Sequence, residues 1–467
     1  MIANLQPYPA YKESQQAWLG RVPQHWPVLP NRAIFAEVKD REHPDEEMLS
    51  VTITRGIVRQ RALLADSSKK DSSNQDKSKY KLVQPRDIAY NKMRAWQGAI
   101  GASELRGIIS PAYVVMRLRE VRNLPNYFHH LYRTPHFAKE AERWSYGITS
   151  DMWSLRPEHF KMIYTPQPPP EEQAAMVRFL DYANGQLGRA IAAKRKVIAL
   201  LNEQKQAIIH RAVTRGLDPI VTLKPSGIPW LGDIPKHWEV KRAKQMCAGI
   251  IDCKNRTPDM VAGGEFTVIR TTNIRNGKFN LAGSYPTDRR NYEIWTQRGA
   301  PRAGDVFFTR EAPVGEACLV PDLKNLCMGQ RMMYFRPDTS ALDAEFLLHS
   351  IYGPLVRTYV EHASNGSTVG HLRLGQVSAL PLLWCPVAEQ KKIVAHIASE
   401  SAPLNTAIAR LDREIELLRE YRTRLVADVV TGKLDVRTAA ATLPAAAVEP
   451  EPAPDPEEIV EPEIEET

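Results

Sequence analysis

Val177, Leu180, Asn184, Leu187, Ile191, Lys194, Ile198, Leu201, Lys205, Ile208 and Ala212 follow one another at steps of three and four residues, and eight of the eleven are apolar. The same pattern returns 217 residues later as Val394, Ile397, Ser401, Leu404, Ile408, Leu411, Ile415, Leu418, Arg422, Leu425 and Val429, with nine of eleven apolar. Even the interruptions coincide, Asn184 with Ser401 and Lys205 with Arg422. An apolar seam repeating every 3.5 residues over five heptads is the signature of a coiled coil.

A seam must be covered, because each Leu or Ile contributes roughly 1.5–3 kcal/mol only when something removes it from water. The simplest cover for each copy is the other copy. At 1.5 Å per residue the span from Val177 to Ala212 is about 53 Å, longer than one turn of B-DNA at roughly 34 Å.

Working outward, the repeat is larger than the helix. Trp18-Leu19-Gly20-Arg21-Val22-Pro23-Gln24-His25-Trp26 is answered by Trp230-Leu231-Gly232-Asp233-Ile234-Pro235-Lys236-His237-Trp238, with six of nine residues identical. Each unit therefore reads W-L-G-x-[VI]-P-x-H-W, then a mixed stretch, then the long helix. The first mixed stretch, about 20–165, places β-rich runs (Leu49 to Thr54, Ala112 to Met116) between turn residues, and helical segments are expected near Asn126–Arg133 and Phe137–Trp144. Residues 67–79 hold only Ser, Lys, Asp, Asn and Gln and read as a surface loop. The second, about 228–384, keeps the plan: Gly304-Asp305-Val306-Phe307-Phe308 matches Arg86-Asp87-Ile88-Ala89-Tyr90. The frame persists while the surface residues change.

Both stretches hand over to the helix through Pro and then Glu-Gln, at Pro168-Pro169-Pro170-Glu171-Glu172-Gln173 and Cys385-Pro386-Val387-Ala388-Glu389-Gln390. Pro fits the first helical turn, and acidic residues there meet the positive end of the helix dipole. Asn184-Gly185 and Pro403 predict a kink or break after a short first segment, since an interior Pro costs about 3 kcal/mol. Val213-Thr214-Arg215-Gly216-Leu217-Asp218 and Val430-Thr431-Gly432-Lys433-Leu434-Asp435 close the two copies. Past Arg437, Ala, Pro and Glu dominate, which predicts a disordered acidic tail. The expected fold class is α+β: two similar mixed α/β domains joined by two long helices in an antiparallel coiled coil. The expected limits are 1–167, 168–217, 218–384, 385–436 and the tail 437–467.

The formal net charge is +8, yet residues 449–467 carry nine acidic side chains and no Lys or Arg, so the remainder stands at +17. Such an excess favours a polyanionic partner. The five cysteines, Cys247, Cys253, Cys318, Cys327 and Cys385, include no C-x-x-C pair, and buried reduced thiols are expected in place of a zinc site. No run of eighteen apolar residues exists to cross a bilayer, and the start lacks a secretory pattern, so a cytoplasmic protein is expected.

These paired openings and paired helix starts, with Tyr90-Asn91-Lys92-Met93-Arg94-Ala95-Trp96-Gln97-Gly98-Ala99, Gly107-Ile108-Ile109-Ser110-Pro111-Ala112-Tyr113, Gly304-Asp305-Val306, Gly329-Gln330-Arg331 and Gly366-Ser367-Thr368, resemble the specificity subunit of a type I restriction-modification system. The resemblance runs from Trp18 to about Val436. It implies that each globule is a target-recognition domain for one half of a split double-stranded DNA sequence and that the helices are an antiparallel spacer. It also implies that methyltransferase subunits, two of them, dock on the conserved helical regions and that restriction subunits join through the complex. Because the two globules differ, the half-sites should differ. No cofactor is expected on this chain; S-adenosylmethionine, ATP and Mg would belong to partner subunits, and no membrane partner is implied.

Phosphate contacts need cations, while base edges are read by forked donors and acceptors such as Arg on guanine and Asn or Gln on adenine. The candidates are Arg55, Arg59, Asn91, Lys92, Arg94, Gln97 and Tyr146 in the first globule. In the second they are Lys254, Asn255, Arg256, Arg270, Asn273, Arg275, Arg310, Arg331, Ser367 and Thr368. The bland alternative for each is a solvated charge or a turn residue. On the helices, Leu187, Ile191, Ile198, Leu201, Ile208, Leu404, Ile408, Leu411, Ile415, Leu418 and Leu425 are assigned to the seam, where Lys194 and Lys205 would snorkel or fix register.

Catalytic motifs are missing. The chain has no G-x-x-x-x-G-K-[ST], no G-x-G-x-x-G after a strand and no D/N-P-P-Y/F tetrapeptide. Glu37-Val38-Lys39 and Glu239-Val240-Lys241 lack the preceding Pro-Asp of a metal-dependent nuclease. The expectation is a non-catalytic recognition subunit. The alternatives are an autonomous restriction or methylation enzyme of such a system, or a coiled-coil adaptor that does not bind DNA.

Overall fold

Strand residues 88–90 and 113–116 are apolar without interruption, and in the computed structural model, which describes residues 5–65, 76–147, 152–364 and 370–444, both faces of their sheet are covered. β1 (Phe35–Val38), β2 (Ile88–Asn91), β3 (Ile100–Ala102) and β4 (Tyr113–Leu118) form an antiparallel sheet in the order β1-β4-β2-β3. Because side chains alternate across a strand, Ile88, Tyr90, Val114 and Met116 face a helical core with Tyr127, Phe128, Tyr132 and Phe160. Ala89 and Val115 face the other way, onto Leu49, Val51, Val83 and Ile109.

The second half repeats this order. β5 (Cys247–Asp252), β6 (Val306–Thr309), β7 (Ala317–Leu319) and β8 (Met332–Pro337) pair as β5-β8-β6-β7, again antiparallel. Val306, Phe308, Met333 and Phe335 meet the helical core there, while Phe307, Met332 and Tyr334 join Ile269, Ile274 and Met328 on the opposite face. A buried Asp holds each sheet to its own return strand. Arg117 grips Asp87 with two bonds of 2.7 and 2.8 Å, and Arg336 grips Asp305 with two of 2.9 and 2.8 Å.

Helix α1 is Pro170–Arg215 and α2 is Val387–Val430. The chain divides into two compact units that do not follow chain order: Met1–Lys196 with Leu411–Thr467, and Val197–Arg410. Each unit therefore holds one part of each helix. In the first, Met176, Phe179, Leu180 and Ala183 of α1 share a core with Leu425, Val429 and Val430 of α2. Lys194 pairs with Glu414 at 2.5 Å while Met176 to Ala183 pack with Leu425 to Val430, so the two segments run in opposite directions. In the second unit Lys205 donates to Asn405 at 3.0 Å, while Ile209, Ala212 and Val213 share a core with Ile393 and Ile397.

Two expectations are corrected. No break occurs at Asn184-Gly185 or at Pro403; both helices are continuous, with Pro403 inside α2. Pro403 is exposed, so water can satisfy the carbonyl it leaves unpaired, and packing on either side carries the helix through. The tail does not begin at 437. Arg437–Thr442 (α3) is helical, with Ala440 buried and Leu443 packed on the first core, because Arg437 is drawn onto Asp435 and Glu172. Of the expected tail, residues 445–467 lie outside the described residues, as do 67–75 of the expected loop 67–79.

Candidate nucleic-acid interface

The frame that carries the candidate residues is fixed by one joint made twice. In the first unit Trp26 Nε1 and Tyr8 Oη donate to Glu172 Oε2 at 2.9 and 3.0 Å, and His25 Nε2 meets Oε1 at 2.6 Å. In the second, Trp238 Nε1 and His237 Nε2 reach Glu389 at 3.0 and 2.9 Å. The following Gln does equivalent work: Gln173 accepts from Leu124 N–H and donates to Asn123, and Gln390 accepts from Asp343 N–H and donates to Ala341 O. Helix ends fit the same indoles, since a Cβ on Gly432 would strike Trp26 at 2.8 Å and one on Gly216 would come within 3.3 Å of Trp238. Both glycines sit at positive φ, the usual way to end a helix.

From β2 the chain turns sharply at Asn91. Asn91 Oδ1 accepts from Met93 N–H at 2.9 Å, Arg94 N–H bonds to Asn91 O at 3.1 Å, and Trp96 Nε1 donates to Met93 O at 2.9 Å. Leu155 N–H ties a second strip, 152–155, to Lys92 O at 2.9 Å. Lys92 and Arg94 are half-buried and Gln97 is exposed. Close to this turn, Lys81 is pushed down to about 8 by burial and by the charges of Lys92, Arg41 and Lys39, with Glu37 opposing. Burial is the larger cause, and the contributions of Lys92, Arg41 and Lys39 mean that these cations lie close enough to repel one another.

Of the other first-unit candidates, Arg55 is half-buried beyond the strand Leu49–Thr52, and its backbone N–H bonds to Thr52 Oγ1 at 3.0 Å. Arg59 is ion-paired with Glu47. Tyr146 is 60% exposed, its ring 5.0 Å from that of His159.

In the second unit, Lys254, Asn255 and Arg256 follow β5 on one loop. Lys254 reaches Gln297 at 3.1 Å, and Trp295 Nε1 donates to Arg256 O at 2.8 Å, pinning the loop. Arg270 is exposed and donates to Gly283 O; Arg275 is exposed and caps the carbonyls of Thr271 and Ile274 at 3.1 and 2.9 Å. Arg310 lies 3.4 Å from Asp252 with little exposure, and Arg331 pairs with Glu311 at 3.2 Å.

Two candidates are corrected. Asn273 is 1% exposed; its oxygen accepts from Arg270 N–H at 2.8 Å and its amide donates to Asn280 O and Ala282 O at 2.7 and 2.9 Å. Asn91 is 7% exposed, with its oxygen spent on the turn. Asn273 builds its loop with both ends of the amide committed, and Asn91 commits its oxygen to the turn, a use of Asn the sequence could have suggested from its turn propensity. Ser367 and Thr368 lie outside the described residues. Sequence reasoning missed Lys81, Lys39 and Arg41, whose clustering depends on strands brought together from separate stretches.

The seam residues divide by burial. Leu187, Ile191, Ile415 and Leu425 are buried, and Ile198, Leu201, Ile208, Leu404, Ile408, Leu411 and Leu418 are half-buried. Between them Val197, Leu200, Leu417 and Tyr421 are exposed. Among the described residues no three or more His, Cys, Asp or Glu side chains gather as a metal site, and no helix is long and apolar enough to cross a membrane. All five cysteines are free, four of them buried.

The chain matches no family model and no curated protein. Solved structures do match. One chain, from work on the structural basis of complex assembly and conformational transition of the type I R-M system, superposes with a TM-score of 0.60 at 15% identity, over 88% of this chain and 99% of its own. The HsdS subunit from Thermoanaerobacter tengcongensis matches over 89% and 98% at 16% identity with a TM-score of 0.41. The type I restriction-modification S subunit from M. genitalium matches over 87% and 96% at 10% identity, TM-score 0.33. Over most of its length, then, this chain is similar in fold to a chain of a type I restriction-modification system.

Proposed function

We propose that this chain is the DNA-specificity subunit of a type I restriction-modification complex. The observation that carries the reading is a match in fold over 88% of this chain and 99% of a type I R-M chain, in a molecule whose frame is duplicated while its loop residues differ. The Trp–Glu joint, the Asp–Arg grip and the sheet order recur, whereas after the equivalent strands β2 and β6 the residues Lys92, Arg94 and Gln97 are answered by Arg310, Ala312 and Gly315. Two like readers with unlike surfaces suit a bipartite, asymmetric duplex target.

In this reading α1 and α2 form an antiparallel coiled coil that sets the spacing between the half-sites, with the domain limits given by the sequence. Exposed residues on the helices dock two methyltransferase subunits, and restriction subunits join through them. S-adenosylmethionine, ATP and Mg serve those partners, and the chain itself recognises and scaffolds in the cytoplasm without catalysing. The paired basic turns favour this over a coiled-coil adaptor that does not bind DNA, and the missing catalytic motifs disfavour an autonomous enzyme.

The test is an exchange. Replacing residues 20–165 by the corresponding stretch of another specificity subunit, in a complex with its methyltransferase, should change one half of the methylated site and leave the other intact. A change in both halves, or methylation by the purified chain alone, defeats the reading.

A further inference from the structure

Beside the Asn91 turn lies an apolar surface that the sheet and the core do not use. Met93 stands at the tip of the turn, 36% exposed; Met152 is 51% and Tyr146 60% exposed. They are joined into one surface. Tyr146 and Ser154 exchange backbone bonds of 3.4 and 3.1 Å, the Trp96 and Trp153 rings pack edge-on at 5.5 Å, and Trp96 is bonded to Met93 O. The joint is tight, since a Cβ on Gly147 would lie 2.5 Å from the backbone of Met152. Exposed apolar side chains gathered on a rigid support usually meet a partner.

The surroundings say which partner. Lys92, Arg94 and Arg156 border this surface in the chain, and among the described residues their side chains have no hydrogen-bond or ion-pair partner. Apolar side chains flanked by cations suit nucleic acid, with phosphates on the rim and bases at the centre. We infer that Met93 and Tyr146 form a wedge that unstacks a base step in the duplex bound by the first unit, so that this unit reads its half-site partly through the ease of deforming it. The inference rests on the DNA-binding reading and adds to it a mode of recognition that needs no hydrogen bond to the base at that step.

A rigid Met tip suits this role. Its thioether is polarizable and unbranched, so it can slide between bases without demanding one sequence, and the Asx turn at Asn91 fixes the backbone that must push. A phenol beside it offers a face on which an opened base can stack. Asn91 thus acts by positioning Met93.

The experiment begins with a random-sequence duplex pool selected on the full chain. A selected duplex is labelled at both ends for energy transfer and substituted with 2-aminopurine at each step in turn. With the wild-type chain, 2-aminopurine fluorescence should rise several-fold at one step within one half-site, and the ends should draw closer. Met93→Ala and Tyr146→Ala, both at exposed positions, should keep the thermal unfolding temperature and lose at least half of that rise, with affinity reduced about tenfold. No enrichment of the pool defeats the DNA-binding reading itself. Enrichment and binding by the wild type with neither unstacking nor bending overturns the wedge alone. So does a variant that unstacks the duplex as well as wild type but no longer holds a methyltransferase subunit, which would make this surface a protein-docking patch.

Discussion

Trp26 Nε1 donates to Glu172 Oε2 at 2.9 Å across 146 residues of chain, and Trp238 donates to Glu389 at 3.0 Å across 151. The two most visible motifs of each repeat, W-L-G-x-[VI]-P-x-H-W and P…E-Q, are thus the two halves of a single joint between a globule and its helix. The copies are not equivalent. Glu172 also receives Tyr8 and lies 3.4 Å from Arg437, and its side chain is 8% exposed against 29% for Glu389.

That inequality predicts unequal costs. Glu172→Ala leaves the Trp26 N–H and the Tyr8 hydroxyl without their acceptor in a buried site and should cost about 3 kcal/mol. Glu389→Ala exposes its partners to water more readily and should cost about 1 kcal/mol. Thermal unfolding followed by tryptophan fluorescence checks this; equal losses would contradict it.

Lys81 gives a pH signature. Its ammonium is pushed down to about 8, chiefly by burial and then by Lys92 and Arg41, and a phosphate bound nearby would raise that value again. Proton uptake on binding means that duplex affinity is highest below pH 8 and declines as pH rises through it. Lys81→Met should flatten the profile between pH 7 and 9. The sign for stability is opposite: the folded value lies below the unfolded 10.5, so the penalty of burying the charge is full below about 8 and is relieved above it.

The asparagine correction separates reading from building. Asn273→Ala removes the clamp on Asn280 and Ala282 and should lower stability by about 2 kcal/mol, whereas Arg256→Ala should leave the unfolding temperature unchanged and weaken duplex binding. Anisotropy titrations at several salt concentrations should give Arg256→Ala a salt dependence shallower by about one counterion if it contacts phosphate. An Asn273→Ala protein that folds as well as wild type would return that residue to the list of candidate readers.

How much of this was open to sequence reading follows from the range of the interactions involved. The 3.5-residue period and the 217-residue repeat are local patterns, so the long helices were legible, and the identical Trp-Leu-Gly openings announced two similar globules. The continuity of α2 through Pro403 was not, because a propensity cost of about 3 kcal/mol is overridden by packing that propensity does not contain. Nor was the helix at 437–442, which is followed by Leu443 packed on the first core and whose Arg437 lies 3.4 Å from Glu172, 265 residues away in the chain. Candidate readers fared worst for a related reason. Polar residue type alone cannot tell Asn273, sealed in a loop, from Asn255, exposed on one, and the Lys39, Arg41, Lys81 cluster exists only once β1 and its neighbours are assembled.

The polar interruptions of the seam make the last prediction. Lys194 meets Glu414 at 2.5 Å and Lys205 meets Asn405 at 3.0 Å, each within its own unit, and burial, followed by the charge of Lys278, lowers the Lys205 ammonium below its ordinary range. Partly buried polar pairs on a seam stabilise little but penalise alternative registers, since a one-heptad slip would set Lys194 opposite Ala407 or Tyr421 and leave it without Glu414. Replacing Lys194 and Glu414 together with Leu should therefore raise stability, by about 1–2 kcal/mol, while loosening register. Cysteine pairs placed elsewhere on the same two helical segments, leaving 194 and 414 untouched, one pair in register and one a heptad out of step, measure that loosening through their rates of disulfide formation. The wild-type background should cross-link only in register, and the Leu variant in both. If the Leu variant is less stable and cross-links only in register, the polar pair contributes to stability and not to alignment.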